Sequence, residues 1–81
     1  SVPYWAHYAA SKAYDLMLAL VRRQGAVASR VELLREVWGT SGEVLTRTVD
    51  SHIRGLRRKL GSDSIRTVQR IGYALQEGRP A

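Results

Sequence analysis

The stretch TRTVDSHIRGLRRKLG, residues 46–61, places four aliphatic residues and five Lys or Arg within sixteen positions. At about 100° per residue, the aliphatic residues fall within roughly 60° of one another on one side of a helix. Basic and small polar residues cluster on the opposite side. The spacing therefore predicts a helix with one face for the core and one for an anionic partner. The core face consists of Val49, Ile53, Leu56 and Leu60, and the outward face of Arg47, Ser51, Arg54 and Arg58.

A second helix is predicted just before this one. Ser29 followed three residues later by Glu32 forms a capping box, in which each side chain satisfies a backbone N–H at the helix start. Gly39 is expected to end this helix, and residues 40–45 then form a short connection. The predicted buried residues are Leu33, Leu34, Val37 and Trp38.

A first helix is predicted from Ala10, with Gly25 as its C′ residue, while the aromatic-rich residues 1–9 carry no clear pattern. Leu16 projects onto the polar side of this helix. It is therefore expected to contact residues 1–9 or, alternatively, a second copy of the chain or RNA polymerase. The predicted apolar side consists of Ala10, Tyr14, Met17, Leu18 and Val21.

A β-hairpin is predicted over residues 64–75, because β-branched and aromatic residues surround a centre at residues 69–72. Gly61 is expected to end the third helix, and Gly72 to supply a positive φ in the turn. Two short helices followed by a basic helix and a hairpin form a winged helix-turn-helix. The predicted fold is therefore mainly α with a C-terminal β-hairpin, as one domain over residues 10–75 with a frayed tail at residues 76–81.

Composition supports a binding domain rather than an enzyme. The chain of 81 residues has no cysteine, which excludes disulfides and thiolate catalysis and makes a zinc site improbable with two histidines. No catalytic residues, metal site or cofactor are predicted. The net charge of +6 favours an anionic partner such as nucleic acid, and +5 of it lies in residues 46–70. The absence of a long apolar run or signal-peptide pattern predicts a cytoplasmic chain with no membrane segment.

Three strings carry a resemblance to a known family: ALVRRQGAVASRVELLREVWG, TRTVDSHIRGLRRKLG and IRTVQRIGYAL, which lie within residues 19–75. The sequence resembles the winged-helix effector domain of the OmpR/PhoB family of bacterial response regulators. The resemblance implies double-stranded DNA binding, with the third helix in the major groove. The predicted hairpin over residues 64–75, which is called the wing in this fold, would lie near the minor groove. It also implies a second copy bound head-to-tail on direct repeats, under an N-terminal receiver domain. The small sheet that opens the family domain is missing or divergent here, and the wing has Gln69-Arg70 where Arg-Gly or an aromatic-Gly pair is common.

The predicted DNA contacts follow from side-chain chemistry. Arg54 and Arg58 lie one turn apart, and a guanidinium can hold guanine O6 and N7. Arg54 is favoured for the base contact, because it lies in the half of the helix expected to sit deeper in the groove. Asp50 either accepts from a cytosine amino group or orients neighbouring arginines. Ser51 allows a close approach to a base edge, and Thr46 is the expected N-cap. The remaining contacts are assigned to phosphates (Arg47, Arg57, Lys59) and to the wing (Arg66, Gln69, Arg70).

Other notable residues have ordinary structural interpretations. His52 lies beside the apolar stripe and is predicted to be packed or hydrogen-bonded, while Trp38 and Tyr73 are predicted to belong to the core. Two alternative functions stay open at this point. One is a winged helix used for protein–protein interaction, and the other is a DNA-binding domain attached to a sensor other than a receiver.

Overall fold

Three helices and a small antiparallel sheet form the chain in a computed structural model, which describes residues 2–39 and 45–76. Most of the predicted connection at residues 40–45 and of the predicted tail at residues 76–81 lies outside the described residues. The elements are α1 (Tyr4–Arg22), β1 (Ala28–Ser29), α2 (Arg30–Trp38), α3 (Thr46–Leu60), β2 (Ile65–Val68) and β3 (Gly72–Leu75).

The core lies where the three helices meet one face of the sheet. Most of the predicted buried residues of the two later helices are confirmed, since Leu33, Leu34 and Val37 of α2 are buried with Val49, Ile53 and Leu56 of α3. Leu60 differs, with 49% of its surface exposed at the last residue of α3. Trp38 packs against the core, and Ile65 and Tyr73 extend it into the sheet.

The predicted apolar side of α1 is mostly wrong, although Met17 does pack against the core. The helix begins at Tyr4 rather than Ala10, and its buried residues are Leu16, Ala19 and Leu20. Leu16 is fully buried in the core, so neither of its two predicted contacts applies. Tyr14 is instead 58% exposed. The i, i+3, i+4 spacing of the buried set is the ordinary pattern of a packed helix face, but exposed aromatic residues on the other side obscured it.

The helix ends follow the predictions in part. Ser29 and Glu32 form the capping box, and Gly39 ends α2 in the left-handed region at φ 60°. Gly61 follows α3 with φ 113°. Two predictions are wrong: the left-handed region after α1 begins at Gln24, one residue before Gly25, and the N-cap of α3 is Leu45 rather than Thr46.

The α3 error has a backbone cause. Leu45 is extended, and the N–H of Thr48 donates to its carbonyl oxygen at 2.9 Å, so the helix already includes Thr46. The side chain of the N-cap residue, Leu45, makes no capping hydrogen bond.

The predicted hairpin is present, and β1 adds a third strand that the sequence pattern did not predict. The strands are antiparallel in the order β1-β3-β2, with Tyr73 opposite both Ala28 and Thr67. We call residues 64–75, which contain β2, the turn and β3, the wing. A strand of two residues is too short to show an alternating pattern.

Gly72 does not supply a positive φ to the turn. That conformation belongs to Arg70, with φ 67°, in a turn closed by the N–H of Ile71 on the carbonyl oxygen of Val68 at 3.0 Å. Gly72 is needed for a different reason, since a Cβ there would lie 1.9 Å from the carbonyl oxygen of Ala28 in the neighbouring strand.

Candidate nucleic-acid interface

The outward face of α3 is exposed as predicted. Arg47, Ser51, Arg54 and Arg58 all face solvent, opposite the buried row of the same helix. The helical repeat places Asp50 and Arg57 between these two rows, on the flank that contacts the wing. Thr46 is the half-buried first residue of α3.

Asp50 connects α3 to two other elements. Its Oδ1 accepts from the Nε of Arg30 at 3.0 Å and from the hydroxyl of Tyr73 at 2.5 Å, and its Oδ2 accepts from Nη2 of Arg30. Arg30 opens α2 and Tyr73 lies in β3. The predicted alternative in which Asp50 orients neighbouring arginines of α3 therefore needs correction, because the arginine that it binds comes from α2. No local spacing in the sequence indicated Arg30 as the partner of Asp50, because the two residues are 20 positions apart.

The protonation equilibria of this cluster follow from these contacts. The hydrogen bond from Arg30 lowers the pKa of the Asp50 carboxyl group below its ordinary value, with a smaller contribution from the Tyr73 hydroxyl. Burial, assisted by the hydrogen bond to Asp50, raises the pKa of Tyr73 above its ordinary value. At neutral pH, Asp50 is therefore a carboxylate and Tyr73 a neutral hydrogen-bond donor.

Arg57 is also directed at the wing. Its Nε and Nη2 donate to the carbonyl oxygen of Ile65 at 2.9 and 2.6 Å, and Nη2 donates to Oγ1 of Thr67 at 2.9 Å. The guanidinium lies 5.7 Å from the centroid of the Tyr73 ring. These hydrogen bonds hold β2 against α3 and give Arg57 a structural role, while its contact with a phosphate stays a prediction.

The remaining candidates, which are basic except for Gln69, are exposed on the wing and toward the end of α3. Gln69 and Arg70 occupy the tip of the wing, beside a hollow of about 210 Å³ that reaches Arg30. Arg66 is exposed in β2, with a contact of 3.5 Å from Nη2 to the carbonyl oxygen of Gly25. Lys59 is exposed on the other flank of α3, at the edge of a groove of about 540 Å³ between α1 and α3.

His52 has the predicted structural role. Its Nδ1 lies 2.9 Å from the carbonyl oxygen of Thr48, and its ring packs edge-to-face on Trp38 with centroids 5.0 Å apart. Within residues 2–39 and 45–76, no group of three or more His, Asp or Glu side chains is placed to hold a metal ion. None of the helices in that part of the chain is both long and apolar enough to cross a membrane.

Known proteins match this fold in sequence and in structure. Response regulator protein PmrA of Pseudomonas aeruginosa is 39% identical over 71 residues, which cover 88% of this chain and 32% of PmrA. The DNA-binding domain of Bacillus subtilis CssR superposes with a TM-score of 0.73 at 35% identity, over 82% of this chain and 75% of that domain. The DNA-binding domain of Klebsiella pneumoniae RstA, solved in complex with the RstA box, superposes with a TM-score of 0.71 at 28% identity, over 80% of this chain and 69% of that domain.

The match extends through all the elements of the site. The family model described as "Transcriptional regulatory protein, C terminal" covers residues 8–75, from α1 to the last residue of β3. The chain spans about a third of the length of the PmrA regulator that it matches. This chain therefore belongs to the family of C-terminal domains of transcriptional regulatory proteins, as a winged helix-turn-helix of the OmpR/PhoB type.

Proposed function

We propose that this chain binds double-stranded DNA sequence-specifically, as the effector domain of a bacterial two-component response regulator. The observation that carries the proposal is the row of exposed arginines on α3, Arg47, Arg54 and Arg58, beside a wing with Arg70 at its tip. An α-helix fits the major groove of B-DNA, while a basic side chain at a wing tip can enter the narrower minor groove. We therefore place α3, the recognition helix, in the major groove and the wing at the neighbouring minor groove.

The roles of the individual residues follow from exposure and chemistry. Arg54 and Arg58 face away from the core and are proposed to contact guanine, with Ser51, about one turn before Arg54, close to a base edge. Arg47 and Lys59 lie toward the two ends of the recognition helix and are proposed to contact phosphates. Thr46, Arg66, Gln69 and Arg70 complete the proposed interface at its edges.

A second copy is proposed to bind beside the first. One short helix and one wing contact few base pairs, so a single domain is expected to bind weakly, and two copies on a direct repeat gain affinity through effective concentration. The support is family membership, including a relative solved on its own DNA box. A receiver domain in the rest of the protein and a contact with RNA polymerase are proposed on the same family grounds.

An in vitro selection of the 81-residue chain against random duplexes tests the proposal. It is run at near-physiological salt, because phosphate binding without sequence preference weakens steeply as salt rises. We expect enrichment of a short motif, repeated about one helical turn apart if two copies bind in tandem. If the folded chain enriches no motif, the proposal of sequence-specific DNA binding is wrong, and protein–protein interaction becomes the leading function.

A further inference from the structure

Both oxygens of the Asp50 carboxylate are occupied by the protein itself. Oδ1 takes two hydrogen bonds, from Arg30 and Tyr73, and Oδ2 takes one from Arg30. A carboxylate offers about four lone-pair sites, so little acceptor capacity is left for a cytosine amino group. Geometry thus favours a role inside the protein over contact with a base.

The three residues of this cluster come from three separate elements. Asp50 lies in the second turn of α3, Arg30 is the first residue of α2, and Tyr73 is in β3, 23 positions after Asp50. The cluster lies on the same flank of α3 as Arg57, which is bonded to β2. One flank of the recognition helix therefore holds both strands of the wing.

The position of these contacts decides what they hold in place. Tyr73 is paired with Thr67 across the hairpin. These two residues lie three positions after and three positions before Arg70, the positive-φ residue at the tip of the wing. Asp50 lies one helical turn before Arg54 on α3. A bond between Asp50 and Tyr73 therefore sets the distance between the base-contacting part of α3 and the tip of the wing.

Charge gives the cluster a second consequence. A lone carboxylate beside a DNA backbone would repel phosphates, and the guanidinium of Arg30 neutralises it through two hydrogen bonds. Removing one residue of the cluster leaves the polar group of its partner without a hydrogen bond. The free-energy cost of that unpaired group is larger than the net contribution of the hydrogen bond itself.

From these contacts we propose that Asp50 is a positioning residue, which fixes the wing and α2 against the recognition helix through Tyr73 and Arg30 instead of reading a base. This inference rests on the proposed DNA binding. It predicts that Asp50 and Tyr73 act as one unit. Loss of either side of their bond should misplace the wing relative to α3 while the contacts of Arg54 to its base stay the same.

The test compares Asp50→Asn, Tyr73→Phe and the double variant with the wild-type chain. Each single variant should bind the selected motif about 5- to 30-fold more weakly, and the double variant should be no weaker than the weaker single one. All three should select the wild-type motif. In the absence of DNA, amide hydrogen exchange in residues 65–75 should lose protection in each variant, while α1 keeps its protection.

Glu36→Gln serves as the matched control. It removes the carboxylate of another, partly exposed ion pair, Arg23–Glu36, which joins the residue after α1 to α2 without touching the wing. This variant should keep the wild-type affinity, motif and exchange of the wing.

Three results would overturn the proposal. If Asp50→Asn changed the preferred base at one position while Tyr73→Phe kept the motif, Asp50 would be a base reader. Independent, additive losses in the double variant would show that the two residues are not coupled. If the wild-type chain selected no motif, the proposed function would fail separately, and unchanged exchange of the wing in the variants would then decide against the positioning role.

Discussion

Arg54 lies on the outward face of the recognition helix, exposed and one turn away from Arg58. Replacing it with alanine removes a guanidinium that is proposed to hold a guanine, and leaves the core of α3 unchanged. Binding to the selected motif should weaken by about 1–3 kcal/mol, with relaxed base preference at one position. Equilibrium binding to the motif and to a scrambled duplex measures this effect. An unchanged ratio between the two duplexes would contradict the role.

Gly72 provides a prediction about packing rather than binding. A methyl group at this position meets the backbone of Ala28 and Ser29, so Gly72→Ala should force β1 away from β3 and destabilise the domain by about 3 kcal/mol. Gly55→Ala is the matched control, because the nearest side-chain atom that its Cβ would meet in the described part of the chain is Nη2 of Arg58, at an ordinary contact distance of 4.0 Å. Gly55 lies within α3, and this control should raise stability by about 0.5–1 kcal/mol. Urea unfolding of both variants distinguishes these opposite signs.

Residue-scale chemistry was predictable from sequence only where the partners are close in the chain. The capping pair Ser29 and Glu32 is three residues apart and was predicted correctly. The partnership of Asp50 with Arg30 and Tyr73 spans 20 and 23 positions, so no local spacing could indicate it. Gly72 was identified as special but for the wrong reason, since a glycine required by close approach looks the same in sequence as one required by a positive φ.

The starts of α2 and α3 differ, and this difference allows a test at the scale of elements. Ser29 Oγ accepts from the N–H of Glu32 at 3.0 Å, while the carboxylate of Glu32 accepts from the N–H of Ser29 at 2.8 Å. Ser29→Ala should therefore cost about 1 kcal/mol. Thr46→Ala removes no cap and replaces threonine with a better helix former, so it should be neutral or slightly stabilising. Thermal unfolding compares the two variants, and an equal loss of stability in both would contradict the observed caps.

The elements themselves were predictable to different extents. Helices α2 and α3 combine terminal signals with a clean apolar stripe, and both are present with most of the expected core. In α1, exposed Tyr4, Trp5, Tyr8 and Tyr14 give apolar character to the solvent side. Composition along one helix cannot separate such residues from the core, because only the positions of α2 and α3 decide which face of α1 is covered.

The stability of the whole domain should depend on pH through Asp50. Its folded pKa is lowered, mainly by the hydrogen bond from Arg30, below the value of about 3.9 expected in the unfolded chain. The corresponding stabilisation is therefore complete above that value and disappears as pH falls through the folded pKa. The difference in unfolding free energy between the wild type and Asp50→Asn should shrink from pH 7 toward pH 2. If the difference in unfolding free energy stayed constant from pH 7 to pH 2, the Asp50 carboxylate would not contribute to stability in this way.

The salt dependence of DNA binding should depend on where a charge lies, not only on the net charge of +6. Arg47→Gln and Arg23→Gln each remove one positive charge, but Arg47 is exposed on the outward face whereas Arg23 is paired with Glu36 at 2.8 Å. Each phosphate contact releases condensed counterions, which makes the plot of log K against log salt slope downward. Loss of one contact should therefore make this negative slope shallower by about 0.9. Arg47→Gln should show this change on cognate and random duplexes alike, and Arg23→Gln should keep the wild-type slope. Equal changes in both variants would mean that the charge acts through the net field of the molecule, and the proposed contact of Arg47 with a phosphate would be wrong.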